Sequence, residues 1–93
     1  MLYETIQTLM KHGWELRHIR LKTDKAVATV VAPKIEYEYD QITFDNDTSH
    51  ITIHNHKEFQ IYDSAIFSDT IDTKEIIIQD GNIRIHIEFR KSN

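Results

Sequence analysis

The sequence predicts an α+β fold, with one N-terminal helix packed on an antiparallel β-meander of five to seven strands. Three observations predict it. Apolar residues recur at helical spacing over residues 2–11. From residue 14 onward they alternate with polar residues in short runs, separated by Asp, Asn, Thr or Gly. The chain has 93 residues, two glycines, one proline and no cysteine. That suits a single domain over residues 1–93 with a limited core and no disulfide staple. Curled on itself, the same meander would make a partial barrel.

The helix rests on Leu2, Ile6, Leu9 and Met10, with Tyr3 beside them. Lys11 and His12 place positive charge in its last turn, and Gly13 suits the left-handed residue just past the end. Residues 14–21 read as the first strand. Their alternation is imperfect, which predicts a bulge near Arg17–His18. Thr23-Asp24-Lys25 is a turn. Residues 26–32 are mostly apolar, as in a central strand, and Pro33 ends them by removing a ladder donor.

Ile35, Tyr37 and Tyr39 alternate with Glu36, Glu38 and Asp40, and Ile42 and Phe44 follow on the opposite parity. A bulge or bend near Asp40–Gln41 would reconcile the two halves. Asp45-Asn46-Asp47-Thr48 is a turn, residues 49–55 are a strand, and residues 58–62 are another with Phe59 and Ile61 inward. Residues 63–73 fit either a short strand or a loop. Asp80-Gly81 then separates two isoleucine-rich runs, the pattern of a two-residue hairpin. Pairing Ile78 with Ile83 and Ile76 with Ile85 puts Ile76, Ile78, Ile83, Ile85, Ile87 and Phe89 on one face. The expected core adds Leu2, Ile6, Leu9, Trp14, Leu16, Val30, Ile51, Ile53, Phe59 and Ile61 to the isoleucines of that hairpin.

Composition narrows the function classes. Without cysteine there is no thiol chemistry and no thiolate metal site. Residues 1–5 lack a basic segment followed by an apolar one, so no signal peptide is expected. No apolar stretch approaches membrane-spanning length, so no membrane association is expected. A cytoplasmic setting fits these features. The formal net charge of −4 disfavours non-specific nucleic-acid binding without forbidding a local basic patch.

Motifs for catalysis are missing. Ser49, Ser64 and Ser68 do not sit in a nucleophile elbow, and no glycine-rich phosphate loop is present. The chain therefore reads as non-enzymatic. His54-Asn55-His56 has the i, i+2 spacing that sets two imidazoles on one side of a strand, and His86, or Asp45 and Asp47, would be the further ligand of a metal. The stronger reading makes His50, Thr52, His54 and His56 the wet face opposite Ile51 and Ile53. No metal and no cofactor are expected.

Two charged groups remain. Glu36, Glu38, Asp40, Asp45 and Asp47 fall within a dozen residues and carry Tyr37 and Tyr39 among them. Aligned on one surface they would attract a basic groove, and tyrosine is a common interface anchor. Most aromatic residues are nonetheless expected in so small a core. Arg17, Arg20, Lys22 and Lys25 form a basic run that Arg84 would join if the first and last strands were neighbours. Leu9-Met10-Lys11-His12-Gly13-Trp14-Glu15-Leu16 resembles the helix–GWEL–strand segment of a group of small bacterial domains. Those domains also place a strand before the helix, which this chain does not, and the resemblance carries no functional residue.

The reading that follows is a protein-binding module with a protein partner, using Glu36, Glu38, Asp40, Asp45, Asp47, Tyr37 and Tyr39. Its sharpest form is a small acidic inhibitor of a nucleic-acid-acting host enzyme, of the kind phages direct against host defence. The alternatives are a small nucleic-acid-binding barrel and a metal-binding protein built on the histidines. A homodimer through a strand edge is a further arrangement open to such a fold.

Overall fold

In a computed structural model, which describes residues 1–64 and 71–92, the chain forms one helix and eight strands in two antiparallel sheets. The helix α1 is Leu2–Lys11, followed by β1 Glu15–Lys22, β2 Val27–Val31, β3 Lys34–Glu38, β4 Gln41–Asp45, β5 His50–His54, β6 Gln60–Ser64, β7 Ile71–Asp80 and β8 Ile83–Ser92. The larger sheet has the order β2-β1-β8-β7-β6 and the smaller β3-β4-β5. The helix and antiparallel pairing are as expected. The strand number exceeds the expected five to seven, and two separate sheets replace the partial barrel. The undecided segment 63–73 resolves at its two ends into β6 and β7, and its middle lies outside the described residues.

The helix closes as its sequence dictates. Gly13 takes φ +91°, its N–H donates to the Met10 carbonyl at 3.1 Å, and the Trp14 N–H donates to that of Leu9 at 3.0 Å. These two bonds make a Schellman motif and satisfy carbonyls the helix leaves open. Its first turn is held from elsewhere. Leu2 donates to the His56 carbonyl at 2.9 Å, and Tyr3 donates to Asn55 Oδ1 at 2.7 Å.

The bulge expected near Arg17–His18 lies between Leu16 and His18. It lets Leu16 and Ile19 both point into the core and turns His18 outward. Residues 26–32 contain β2, which is an edge strand rather than a central one; only Val30 is buried, while Val27 and Val31 are 58% and 60% exposed. Ala32, at φ +48°, then turns the chain away toward the smaller sheet.

Residues 35–44 are not one bent strand. They fold back at Tyr39-Asp40, both left-handed at φ +51° and +63°, so that Glu38 pairs with Gln41 and Tyr37 with Ile42. The parity change is a two-residue turn of the type I′ class. In the last hairpin the loop is Gly81-Asn82 rather than Asp80-Gly81. Ile78 pairs with Ile85 and Ile76 with Ile87, a shift of two from the expected partners. Gly81 supplies φ +60° at the first turn position, as in a type II′ turn. Because the shift is even, the isoleucine face survives.

Both sheets and the helix share one core. Leu2, Ile6, Leu16, Ile19, Val30, Ile42, Phe44, Ile51, Ile53, Ile76, Ile78, Ile85, Ile87 and Phe89 are buried in a single cluster, with Leu9, Trp14, Phe59 and Ile83 packed at its margin. Ile61, expected inside, is 46% exposed because β6 is the other edge of the larger sheet. Since the inward side chains of both sheets meet in this cluster, each sheet turns its second face to solvent.

Candidate interaction surfaces

The smaller sheet presents Glu36, Glu38, Thr43, Thr52 and His54 on its outer face. The pairings Glu36 with Thr43, Glu38 with Gln41 and Gln41 with His54 place these residues side by side. Thr43 and Thr52 share a hydroxyl hydrogen bond of 3.0 Å across β4 and β5. At the tip of the β3–β4 hairpin, Tyr39 is 89% exposed. Next to it Asp40 accepts a hydrogen bond from the Tyr37 hydroxyl at 3.2 Å and lies 3.5 Å from His54 Nδ1. A shallow hollow of about 430 Å³ runs along Glu36, Tyr37, Glu38, Tyr39, Gln41 and Thr43.

The seven residues singled out in the sequence do not all share one face of the hairpin. Glu38, Tyr39 and Asp40 gather at one end of the hairpin. Asp45 lies at the other end, opposite Lys34 and His50, and Asp47 is in the turn beyond it. Glu36 stands midway, paired with Thr43 two residues from Asp45, while the length of β3 sets Glu38 about 13 Å along the hairpin from Asp45. Tyr37 points the other way and stacks on Tyr3, with ring centroids 4.3 Å apart and planes 15° from parallel. Tyr37, Tyr39 and Tyr62 are all more than two-fifths exposed, so they do not join the core as most aromatics were expected to.

The histidines split into pairs: the His54 and His56 rings meet edge to face at 5.6 Å, with His86 on the other sheet. His50 and His54 face solvent from β5, but His56 lies past the strand end and folds back. Its Nδ1 meets the His54 carbonyl at 2.7 Å and its Nε2 meets Asp80 at 3.2 Å. His86 is on the larger sheet. Among the described residues no group of three or more His, Asp or Glu could hold a metal ion. Ser49 Oγ is bonded to Asn46 Oδ1 at 3.2 Å, in a turn braced by the same oxygen.

The larger sheet carries a second polar face. β1 and β8 are neighbours, and their register sets His18 opposite Glu88, Arg20 opposite His86 and Lys22 opposite Arg84. His18 Nδ1 is 3.7 Å from Glu88, His86 Nε2 is 3.4 Å from Glu75, and the two imidazoles meet edge to face at 5.6 Å. Burial holds His18 below its ordinary pKa; Glu88 opposes this, while His86, Arg20 and Arg90 add to it. His18 Nε2 is buried with no partner among the described residues, so a proton there would find no acceptor. Of the basic run, Arg17 sits in the bulge 3.7 Å from Glu15, and Lys25 is in the β1–β2 turn.

One central polar residue escapes sequence reasoning. Asn55 is 1% exposed. It accepts from the Tyr3 N–H, sets Nδ2 3.2 Å from Glu4 Oε1 and 3.4 Å from the Tyr37 hydroxyl, and donates its own N–H to the Asp40 carbonyl at 2.9 Å. It thus ties the helix to the hairpin that presents Tyr39. Among the described residues no helix is long and apolar enough to cross a membrane. No family model, curated protein or solved structure matches this chain.

Proposed function

We propose that the chain is a non-enzymatic protein-binding module that meets a basic partner with the tip of the β3–β4 hairpin. The observation that carries this reading is Tyr39, a bulky side chain held at φ +51° with 89% of its surface in water. A left-handed conformation costs an L-residue about 1–2 kcal/mol, and a two-residue turn of this kind ordinarily uses Asn or Gly. Here the position presents an aromatic ring beside Glu36, Glu38 and Asp40. An exposed ring rimmed by carboxylates suits a desolvated contact surrounded by charge pairing with Lys or Arg.

The partner class that fits is a nucleic-acid-acting enzyme, whose substrate groove is basic, and the role that fits is inhibitor, in a cytoplasmic setting. Asp45 and Asp47 lie too far along the hairpin to share the contact at Tyr39 and serve as a second, flanking anchor. Affinity capture from the native cell, followed by calorimetry on the recovered partner, tests the reading. Glu36→Lys with Glu38→Lys, and separately Tyr39→Ala, are each expected to weaken binding at least about tenfold, roughly the loss of one good interface anchor. Unchanged affinity in both rejects it.

A further inference from the structure

The outer face of the larger sheet concentrates positive charge in a chain whose formal net charge is −4. Lys22 lies directly opposite Arg84 across β1 and β8, and Arg20 is the next outward residue along β1. Like charges placed directly opposite each other destabilise a sheet. Nothing relieves them locally: among the described residues Arg20, Lys22 and Arg84 form no ion pair and no side-chain hydrogen bond. The three rim an open basin of about 340 Å³ with Glu75, Ile77 and His86. The one carboxylate there, Glu75, is turned toward His86.

We propose that this face binds the phosphodiester backbone of a single-stranded nucleic acid. The basin is open and its cations lie along one exposed sheet face, about 6.7 Å apart on one strand and about 4.8 Å between strands. That layout follows an extended polymer better than it encloses a single anion. On the same face Tyr62, on β6 and across β7 from Glu88, is 46% exposed and offers a ring for a base to stack on. The inference is independent of the acidic hairpin, which belongs to the other sheet.

The test is fluorescence anisotropy of a labelled oligodeoxythymidine titrated with the full chain, from about 20 to about 200 mM salt. With three cations engaged, log affinity falls against log salt with a slope of about −2. Arg20→Ala and Arg84→Ala each flatten the slope by about 0.7. Tyr62→Ala weakens binding about tenfold and leaves the slope unchanged. Lys22→Glu replaces a repulsion with a cross-strand ion pair to Arg84, so the fold is kept or strengthened while binding drops at least about tenfold. Lys34→Ala, on the smaller sheet, leaves binding as it was. No anisotropy change at the lowest salt overturns the inference, as does equal affinity in a Lys22→Glu protein with an unaltered circular-dichroism spectrum. Displacement of the oligonucleotide by millimolar inorganic phosphate at constant ionic strength overturns the polymer in favour of a small anion.

Discussion

Tyr3 donates its backbone N–H to the side-chain oxygen of Asn55 at 2.7 Å, so the first turn of the helix is capped by a residue from beyond the end of β5. Removing the cap strands a buried donor and empties the space around it. Asn55→Ala is expected to lower stability by about 2–3 kcal/mol, measured by urea denaturation. Asn55→Asp keeps the acceptor but sets a second carboxylate beside Glu4, now 3.2 Å from Nδ2. Its deficit should grow as pH rises through the carboxylate range near about 4.

His18 gives the fold a pH dependence. Burial keeps its folded-state pKa below the ordinary 6.5 despite Glu88, so the unfolded chain binds the proton first as pH falls. The stability contributed by the neutral ring is present above about pH 6.5 and is lost as pH falls through the lower folded pKa. Wild type should therefore lose stability relative to His18→Gln between about pH 7.5 and pH 5. Parallel curves for the two proteins over that range would contradict the assignment.

Tyr39→Gly separates backbone strain from recognition. Glycine takes φ +51° without a Cβ penalty, so the variant should be more stable by about 1 kcal/mol. It should also bind the basic partner more weakly, having lost the ring. A variant less stable than wild type would mean that the exposed ring supports the hairpin itself.

An edge of the larger sheet and the centre of the smaller one should respond unequally to truncation. Ile61→Ala, at a residue 46% exposed on β6, should change stability by less than about 0.5 kcal/mol. Phe44→Ala, at a side chain with no exposure, should cost about 3–5 kcal/mol. Urea midpoints of the two variants check both.

How much of this was legible in the sequence follows the range of the forces involved. The helix end at Lys11–Gly13 obeys a rule spanning a few residues, and it is where the sequence predicts it. The isoleucine face of β7 and β8 is legible although the turn is Gly81-Asn82, because an even slip preserves every side chain's side. The Tyr39-Asp40 reversal is not legible. A parity change between Tyr39 and Ile42 fits a bulge as well as a turn, and Tyr39, unlike Asp40, is not a usual occupant of a left-handed position. Edge against centre is equally hidden for residues 26–32, since their apolar content reflects one buried residue, Val30, and a neighbour on one side only.

The candidate surfaces divide the same way. Alternation assigns Glu36 and Glu38 to a wet face, but only the hairpin places Glu38 beside Tyr39 and sets Asp45 and Asp47 toward its far end. The grouping of Arg20 and Lys22 with Arg84 depended on β1 meeting β8, a pairing no local pattern encodes. Asn55 gives no signal at all, because its partners Tyr3, Glu4 and Tyr37 come from other elements.

That union of the first strand with the last has a consequence in time. The larger sheet cannot be completed until β8 is available to join β1 to β7. During synthesis the edge of β1 that takes β8 stays unpaired while β2 to β7 are made, and non-local closures of this kind are slow. Folding should therefore be limited by the docking of the β7–β8 hairpin onto β1 rather than by the early formation of the helix, and until then β1 offers an open edge to other strands.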